Sequence, residues 1–266
     1  MHSGLNTSRS KLLRVLILGG TSEASQLITS LKTIPNIEII TSLAGRLTQP
    51  KLPSGTVRIG GFGGIEGLTS YLIAEHICAV VDATHPFAAK ISKSAEVACD
   101  RLDIPLLAFE RPPWKPIDKW INVPDAHVAA SLIDKSENRV FLSIGRQDIG
   151  AFKLCTQAWF LIRTIDPPED FLPIRCRLIL ERGPFHLGAE IDMLRKSSIN
   201  ILITKNSGGI ATYPKIEAAR ELGIKVIVIN RPKKHSVATI SDLGELVQEL
   251  AKVCELKSLT RSKQGT

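Results

Sequence analysis

The chain has 266 residues, of which 44% are hydrophobic and 23% are charged, so it is long enough to form one large domain or two smaller ones with buried cores. Lysine and arginine outnumber aspartate and glutamate by 34 to 26, and the formal net charge is +8. No apolar run approaches the roughly 20 residues of a membrane span, and residues 1–11 lack the apolar core of a secretory signal. A membrane partner is therefore not expected.

The positive charge fits either a nucleic acid or a small polyanion as partner. Only 5% of the residues are aromatic and the basic residues are mostly dispersed, so nucleic acid is the weaker interpretation. The five cysteines are scattered and never in Cys-x-x-Cys spacing, so neither a disulfide framework nor a metal site is predicted. We expect a cytoplasmic protein that binds a small anion.

The first predicted strand, Leu13 to Leu18, runs into Gly19-Gly20-Thr21-Ser22 and then into the start of a helix. Glycines allow a sharp turn close to a ligand, and the free N–H groups at the start of the helix attract a phosphate. The match to the dinucleotide fingerprint is incomplete, because its middle position is Thr21 and its last is Ala24. A nucleotide site and an ordinary turn capped by Thr21 or Ser22 both stay open at this point.

The second predicted strand, Ile37 to Ser42, bears on the type of nucleotide. A classical NAD site has an acidic residue at the end of this strand, about 20 residues after the glycines. Here the strand ends at Ser42, and Arg46 follows soon after. A guanidinium forms bidentate charged hydrogen bonds with phosphate, so these two residues predict NADPH rather than NADH. A solvated surface arginine is the alternative for Arg46.

Strands and helices alternate up to about residue 108, which predicts a parallel sheet covered by helices on both faces. The further predicted elements are strands at Thr56 to Ile59, Ala79 to Asp82 and Pro105 to Ala108, and helices at Glu23 to Leu31, Ile65 to Glu75 and Ala88 to Leu102. Ligands of such sheets bind beyond the carboxyl ends of the strands. The loops at these ends are therefore expected to converge on one crevice.

The proline-rich run Glu110 to Pro116 cannot continue a helix or an interior strand, and it marks a domain junction. A second alternating series follows it. Its predicted strands are Trp120 to Val123, Val140 to Ile144, Trp159 to Thr164, Asn200 to Thr204 and Lys225 to Ile229, and its helices are Ala126 to Asp134, Leu187 to Lys196, Lys215 to Leu222 and Asp242 to Val253. We predict an α/β chain with domains at 12–113 and 114–254, a cleft between them, and flexible tails at 1–11 and 255–266.

Two runs of the sequence are specific, Asp82-Ala83-Thr84-His85-Pro86-Phe87-Ala88 and Thr204-Lys205-Asn206-Ser207-Gly208-Gly209. The pieces that accompany them are Gly19 to Ala24, Ser42 to Arg46, Arg111 to Trp114, Gly145-Arg146, Gly183-Pro184-Phe185, Lys215 with Ala218-Ala219, and Arg231-Pro232. In this order, from about residue 13 to 232, the set resembles the precorrin-6A reductase family of cobalamin biosynthesis, whose substrate is metal-free or contains cobalt.

The resemblance implies two Rossmann-like domains and an oxidoreductase that acts on a CH–CH group with NADP or NAD. Such an enzyme transfers a hydride to the macrocycle of (cobalt-)precorrin-6A and gives (cobalt-)precorrin-6B. The substrate is a tetrapyrrole polycarboxylate, which a chain of net charge +8 would attract. No metal or flavin is needed, because the conjugated macrocycle itself accepts the hydride. NADPH is the expected cofactor, NADH and the metal state of the substrate stay open, and we expect a monomer.

The residues expected to bind the cofactor are Gly19, Gly20, Thr21, Ser22, Ser42, Arg46, Gly60 and Gly61. The first four are expected at the pyrophosphate, and Ser42 and Arg46 at the adenosine 2′-phosphate. The last two are expected to let the nucleotide lie against the third strand, and a flexible loop is an equal alternative for them.

The residues expected at the reacting centre are Asp82, Thr84 and His85, because they follow the fourth strand, where a nicotinamide would lie. Thr84 and His85 are expected to hold the ring and the reacting edge of the substrate, and His85 to donate the proton that completes the reduction. The alternative is structural: His85 caps the helix after Pro86, and Asp82 accepts from nearby backbone N–H groups.

The residues expected to bind the substrate in the second domain are Lys205, Ser207, Gly208, Gly209, Arg146 and Arg231. Surface solvation is the alternative for the two arginines. A non-catalytic, two-lobed protein that binds a nucleotide or a carboxylate would have the same glycine turns. A carbonyl reductase of the short-chain type is disfavoured, because neither Tyr71 nor Tyr213 has a lysine four residues later.

Overall fold

The computed structural model describes residues 12–32, 34–45, 52, 54–169 and 171–263. The chain divides into two units. The first consists of Met1–Arg111 together with Lys233–Thr266, and the second of Pro112–Pro232. The second unit is thus one continuous insertion into the sequence of the first.

The first unit alternates strands and helices as predicted. Its elements are β1 (Leu13–Leu18), α1 (Ser22–Leu31), β2 (Ile37–Leu43), β3 (Thr56–Ile59), α2 (Gly64–Ala74), β4 (Ile77–Asp82), α3 (Ala89–Leu102), β5 (Leu106–Phe109), β12 (Thr239–Ile240) and α7 (Leu243–Lys263). Those of the second unit are β6 (Trp120–Val123), α4 (Ala126–Ser131), β7 (Arg139–Ser143), β8 (Trp159–Thr164), β9 (Cys176–Leu180), α5 (Leu187–Lys196), β10 (Ile201–Lys205), α6 (Pro214–Glu221) and β11 (Lys225–Ile229).

The first sheet has the strand order β3-β2-β1-β4-β5-β12, and every neighbouring pair is parallel. This is the order of dinucleotide-binding folds, in which the direction of winding reverses between the first and fourth strands. The predicted α/β architecture with parallel sheets is confirmed. The ends of β1, β2, β3 and β4 define what we call the carboxyl end of the first sheet.

The core of the first unit has two faces because successive residues of β1 point to opposite sides of the sheet. Val15 and Ile17 pack with one face of α1 and with α7, whereas Leu16 and Leu18 pack with α2 and α3. The side chains of all four are almost completely buried. Burial of one such side chain stabilises the fold by about 1.5–3 kcal/mol, which explains why an apolar run, rather than an alternating pattern, marks this strand.

The second sheet has the order β9-β8-β7-β10-β11-β6, again with parallel neighbours throughout. It repeats the arrangement of the first sheet, with β7 in the central place of β1 and β10 in the place of β4. The strand beside β11 comes first in this unit, whereas its counterpart β12 comes last in the other. The ends of β7, β8, β9 and β10 form the carboxyl end of the second sheet.

Different elements cover the two faces of the second sheet. Leu161, Leu202 and Val226 pack against α5 and α6. Phe160, which precedes Leu161 on β8 and therefore points to the opposite face, contacts Phe152 edge to face with ring centroids 5.9 Å apart. Phe152 ends a 3₁₀ segment at residues 146–152 that sequence periodicity did not predict.

The structure divides the chain differently from the predicted domains 12–113 and 114–254. After Pro232 the chain returns to the first unit, where Thr239 and Ile240 pair in parallel with β5. Leu246 and Leu250 of α7 are fully buried in that unit's core. The physical reason is that α7 has an apolar stripe that covers the first sheet, so helix and strand together complete its edge.

The predicted tails also differ from the structure. Residues 255–263, expected to be flexible, continue α7, while residues 1–11 and 264–266 lie outside the described residues. Strands β9 and β12 were not predicted. Among the described helices, none combines the length and apolar character that a bilayer span requires.

Candidate active site

The turn between β1 and α1 presents backbone rather than side chains. Gly20 is exposed, has φ of +106°, and has no atom within 4 Å of the position that a Cβ would take. The neighbouring Gly19 donates its N–H to Ser42 O at 2.9 Å, which joins this turn to the end of β2. The open backbone and the N-terminus of α1 offer the environment that an anion prefers.

Thr21 uses its hydroxyl inside the fold. The hydroxyl accepts a hydrogen bond from Ala24 N at 3.1 Å, and thereby caps α1, and it donates to Ala83 O at 2.8 Å. This second bond ties the turn after β1 to the end of β4. The predicted contact of Thr21 with a pyrophosphate therefore depends on its backbone N–H.

An acidic residue that the sequence analysis did not single out lies in the first turn of α1. Glu23 accepts hydrogen bonds from Ser22 Oγ at 3.0 Å and from Arg111 Nη1 at 2.7 Å. Burial raises the pKa of Glu23, but the Arg111 guanidinium outweighs it and holds the pKa below its usual value. The ion pair limits the repulsion that a bare carboxylate would exert on a phosphate at the helix start.

The ends of β2 and β3 lie side by side. Ser42 is paired in register with Arg58, whose Nη1 lies 3.4 Å from Ser42 Oγ. The same guanidinium donates to Gly60 O at 2.5 Å and to Gly61 O at 2.6 Å. Arg58 was not predicted as a site residue, although its register with Ser42 is a usable signal. Arg46 lies outside the described residues.

The end of β4 holds the three residues predicted at the reacting centre. Asp82 is fully buried, and its Oδ1 accepts from Thr84 N at 2.9 Å and from Thr84 Oγ1 at 2.6 Å. His85 Nδ1 accepts from Phe87 N at 3.2 Å. Both contacts that the structural alternative expected are therefore present. Asp82 accepts from a backbone N–H of the turn, and His85 accepts from a backbone N–H of the segment that follows. With Nδ1 occupied as an acceptor, the proton of a neutral imidazole lies on Nε2.

Two further residues at the end of β4 come from the returning chain and were missed. Lys234 has a fully buried side chain, and its Nζ lies 3.4 Å from Asp82 Oδ1 and 3.1 Å from Thr84 O. His235 lies between two carboxylates, with Nε2 3.5 Å from Asp82 Oδ2 and Nδ1 3.6 Å from Glu96 Oε1. In the sequence these residues stand out only as part of a short basic cluster, Arg231 to His235.

The charge on Asp82 is set by its neighbours. Burial raises the pKa of Asp82, but Lys234 and the hydroxyls of Ser92 and Thr84 lower it by more. The pKa therefore lies below its usual value. Asp82 is therefore ionised at neutral pH and holds Lys234 and Thr84 in place. It has no exposed surface with which to contact a ligand.

In the second unit, several predicted substrate residues bind other parts of the protein. Lys205 forms an ion pair with Asp148, and Arg146 Nη1 lies 3.5 Å from Glu169 Oε1, which is exposed. Such an exposed, loose pair contributes little stability and leaves Arg146 available to exchange partners. Ser207 is buried and donates its N–H to Lys205 O at 2.8 Å.

Arg231 and Gly208 are packed at one place in the second unit. Arg231 Nε donates to Asn206 O at 2.7 Å, and Nη2 donates to Pro112 O at 3.2 Å. A Cβ on Gly208 would lie 2.1 Å from Pro112 O, and the residue has φ of +72°. These two residues therefore hold the loop after β10 to the start of the unit, and Gly209 follows in an extended conformation.

The structure thus brings together the described residues predicted in the first unit, all at the carboxyl end of the first sheet. Those predicted in the second unit also follow strand ends, since Arg146 comes after β7, residues 205 to 209 after β10, and Arg231 after β11. Their predicted roles toward cofactor and substrate stay predictions.

Comparison with known proteins matches residues 14–251 to the model of a family described as precorrin-6x reductase CbiJ/CobK. A precorrin-6A reductase of Rhodococcus erythropolis is 48% identical over 223 residues, which are 83% of this chain and 90% of that protein. One of a Sinorhizobium species is 42% identical over 250 residues, or 92% and 95% of the two chains.

A solved structure, titled CobK precorrin-6A reductase, superposes with a TM-score of 0.85 at 40% identity and covers 91% of this chain and 97% of its own. The agreement extends over both units and through the returning segment up to residue 251. On this breadth of sequence and structural agreement, the chain belongs to the precorrin-6x reductase family CbiJ/CobK, a family of oxidoreductases of cobalamin biosynthesis.

Proposed function

We propose that this protein reduces precorrin-6A, in its metal-free or cobalt form, with a hydride from a reduced nicotinamide dinucleotide, preferably NADPH. The observation that carries the proposal is the open turn at Gly20, which lies next to the reversal point of a sheet with dinucleotide-binding strand order. The names of the relatives indicate the macrocycle on which such a reductase acts.

The residues at this turn fit a dinucleotide. A side chain at position 20 would fill the space beside the backbone, and glycine leaves it open for a pyrophosphate. Gly20, Thr21 and Ser22 would hold that group through their N–H groups at the start of α1, whereas the N–H of Gly19 is bonded to Ser42 O and joins the turn to β2. The exposed Gly61 and the half-buried Gly60 would lie along the nucleotide, fixed by Arg58.

The preference for NADPH is supported by charge at the end of β2. Ser42 and Arg46 are the residues proposed for the adenosine 2′-phosphate. Arg58, whose Nη1 lies 3.4 Å from Ser42 Oγ, places a guanidinium at this end of the sheet. Among the described residues of β2, no acidic side chain occupies the end of the strand, where an NAD site holds the ribose hydroxyls.

The nicotinamide, when bound, supplies the hydride, and the remaining work is positioning and proton transfer by the chain. We propose that Thr84 and His85 line the place where the macrocycle and nicotinamide meet. His85 Nε2 would donate the proton that accompanies hydride addition from the doubly protonated ring and leave a neutral imidazole, so Nδ1 would first have to exchange the Phe87 N–H for a proton. Asp82 and Lys234 are positioning residues, because they bind Thr84 and are themselves buried.

The carboxylate arms of the substrate are assigned to the second unit. Lys205, Arg146 and Arg231 supply charge at the carboxyl end of its sheet, and Ser207, Gly208 and Gly209 supply the loop between them. Lys205 is paired with Asp148, so a substrate carboxylate would have to share or displace that partner. Lys205→Ala is expected to raise the apparent Kd for the macrocycle, and an unchanged Kd would contradict the assignment.

The decisive experiment is anaerobic oxidation of NADPH, with NADH in parallel, on addition of precorrin-6A in metal-free and cobalt forms. Consumption of the nucleotide together with a product two hydrogens heavier supports the reductase and reports its cofactor and metal preference. Binding of nucleotide and macrocycle without consumption favours the non-catalytic, two-lobed binding protein. We further propose that the enzyme acts as a monomer in the cytoplasm, where reduced nicotinamide is available, and sedimentation tests the oligomeric state.

A further inference from the structure

The segment that returns to the first unit after the insertion carries two buried side chains, Lys234 and His235. Lys234 contacts Asp82 and Thr84 at the end of β4. The side chain of His235 is 1% exposed and faces Asp82 on β4 and Glu96 on α3. A buried imidazole needs hydrogen-bond partners for its nitrogen atoms, so these two carboxylates indicate what the ring does.

Three polar atoms at this place lack a hydrogen-bond partner within the described part of the chain. They are Nδ1 and Nε2 of His235 and Oδ2 of Asp82, and all three are buried. Nε2 lies 3.5 Å from Asp82 Oδ2, which leaves no room for a water molecule between them and is only slightly longer than a hydrogen bond. The two atoms can therefore satisfy each other directly.

The other contacts of the two carboxylates decide which ring nitrogen carries the proton. Asp82 Oδ1 already accepts from Thr84 N and Thr84 Oγ1, whereas Oδ2 accepts from no described group. Glu96 Oε1 accepts from Ser236 N at 2.6 Å and lies 3.6 Å from His235 Nδ1. A neutral ring with its proton on Nε2 therefore supplies a donor to the carboxylate oxygen that lacks one, Asp82 Oδ2.

The ring is neutral at neutral pH. The charged groups around it are Asp82 on β4, Glu96 and its partner Lys93 on α3, Glu110 after β5, and Lys234 beside it in the chain. Burial lowers the pKa of His235, and Lys234 acts in the same direction. The three carboxylates oppose this but do not outweigh it, so the pKa lies below its usual value of about 6.5.

The carboxylates that face the ring keep their charge over the range in which the ring titrates. Burial raises the pKa of Asp82 and of Glu96, but hydrogen bonds and nearby cations lower both by more. Both therefore stay ionised above about pH 5. Between pH 7 and pH 5 the imidazole of His235 is the group that changes its charge.

We propose that His235 is a positioning residue of the candidate active site, because its Nε2–H binds Asp82 Oδ2 and thereby fixes the carboxylate that holds Thr84. Asp82 Oδ1 is bound to both the N–H and the hydroxyl of Thr84, so a rotation of this carboxylate would move Thr84 as well. Lys234 Nζ lies 3.4 Å from Oδ1, and His235 faces Oδ2. Adjacent residues of the returning segment thus hold the two oxygens of one carboxylate. The effect on catalysis rests on the proposed function, whereas the bond to Asp82 does not.

The test compares replacements that place an amide at one ring nitrogen or at the other. In His235→Gln the amide N–H takes the place of Nε2–H, and in His235→Asn the amide reaches only the place of Nδ1, which faces Glu96. Neither amide titrates. His127→Asn changes an exposed histidine of α4 and is the control for the loss of a histidine.

Hydrogen exchange of the Thr84 amide measures the position of Asp82 without any substrate, because this N–H donates to Asp82 Oδ1. We expect His235→Asn to lower its protection about tenfold at pH 7, since a hydrogen bond to a charged group is lost. His235→Gln should stay within about threefold of the wild type, and His127→Asn should equal it. The amide of Val80, which donates to Pro105 O in the core of the same sheet, should not change and reports any global loosening.

The pH dependence separates this role from simple packing. The open form of the returning segment, in which the ring is solvated, binds a proton more tightly than the closed form, because the pKa of His235 is lowered in the fold. Wild-type protection of Thr84, corrected for the intrinsic exchange rate, should therefore fall below about pH 6.5, by up to about tenfold per pH unit. In His235→Gln this fall should be absent down to pH 5.

Activity tests the positioning itself. If the proposed function is correct, His235→Asn should lower kcat for precorrin-6A about tenfold and leave KM for NADPH unchanged, because Thr84 is misplaced while the nucleotide turn is intact. His235→Gln should restore most of kcat.

Equal protection of Thr84 in the asparagine and glutamine variants would overturn the proposed bond, and so would an equal loss of protection at Val80. If the wild type reduces precorrin-6A and kcat is the same in both variants, His235 does not position the site. If protection follows the expected order but the wild type does not reduce precorrin-6A, the proposed function fails and the bond to Asp82 stands.

Discussion

The two sheets of this protein share an arrangement of strands but differ in what their carboxyl ends present. In the first sheet, Thr21 and Asp82 turn their polar atoms into caps and turns, so that glycine backbone is left open. In the second sheet, Lys205, Arg163 and Lys215 place cationic groups at the same end. Open backbone N–H groups suit the phosphates of a nucleotide, and cationic side chains suit carboxylates. The two ends therefore suit the two anions that we propose as ligands, a nucleotide for the first unit and a polycarboxylate for the second.

The largest effect on stability should come from breaking the buried ion pair of Asp82 and Lys234 at the end of β4. Asp82→Asn leaves Lys234 buried without a counter-charge, so the free energy of unfolding should fall by about 3–5 kcal/mol at pH 7. The contribution of the lowered Asp82 pKa is complete above about pH 4 and is lost as the pH falls through the pKa of the folded state. Urea unfolding of the wild type and the variant at several pH values measures both effects.

The control for this change is the double variant Asp82→Asn/Lys234→Met, which removes the uncompensated ammonium as well. It should recover part of the lost stability. A single variant Asp82→Asn within 1 kcal/mol of the wild type would show that the pair contributes little to stability.

A second change tests whether stability depends on the backbone conformation of the loop after β10, at the carboxyl end of the second sheet. Gly208→Ala would force a Cβ to 2.1 Å from Pro112 O in a residue with positive φ, and the free energy of unfolding should fall by about 3 kcal/mol or more. Gly209→Ala is the matched control, because Gly209 has φ of −77° and ψ of +131°, which alanine adopts without strain. Equal stability of the two variants would contradict this explanation.

A third change concerns chemistry at the first sheet. His85→Asn keeps an acceptor for Phe87 N–H but removes the group proposed as proton donor, so kcat should fall by about a hundredfold while KM for NADPH stays the same. Single-turnover measurement of nucleotide oxidation isolates this step. Normal turnover would leave His85 with only its capping role.

The smallest expected effect is on the free energy of unfolding and comes from removing the buried charge of Lys215 in the second unit. Because the pKa of Lys215 is lowered to about 7 in the folded protein, burial of its charge destabilises the fold below that pH. Lys215→Met should therefore be more stable than the wild type at pH 6, by about 1 kcal/mol or more. The difference should shrink between pH 7 and pH 10, as the folded wild type loses the proton that its unfolded state retains. A variant less stable than the wild type at pH 6 would contradict this.

Several elements could be predicted to the residue because local pattern and tertiary packing agree. Strands β1, β3, β6, β8 and β11 and helix α5 match the predicted bounds, since each is an apolar or amphipathic segment between strong turn signals. Strand β12 has only two residues, and its pairing with β5 depends on a chain that returns after 121 inserted residues. No local pattern carries that information.

The parts of the site that consist of glycine turns and strand ends could be predicted from the sequence. The side chains that belong to the site because they are buried there could not. The glycines and the end of β4 were visible as motifs. Lys234 stands beside Lys233 in the sequence, yet one is buried and the other exposed. For Lys215 a signal existed, because Ala218 and Ala219, three and four residues later, are buried and make its face of α6 an inward one.

The insertion of one unit into the other also sets an order for biosynthesis. The ribosome completes Pro112–Pro232 as one continuous stretch, which can close its own sheet while the rest of the chain is still being made. The first unit cannot be completed at that point, because β12 and α7 follow the inserted unit in the chain. A nascent chain that stops at Pro232 would contain a finished inserted unit and a host unit with one edge of its sheet uncovered.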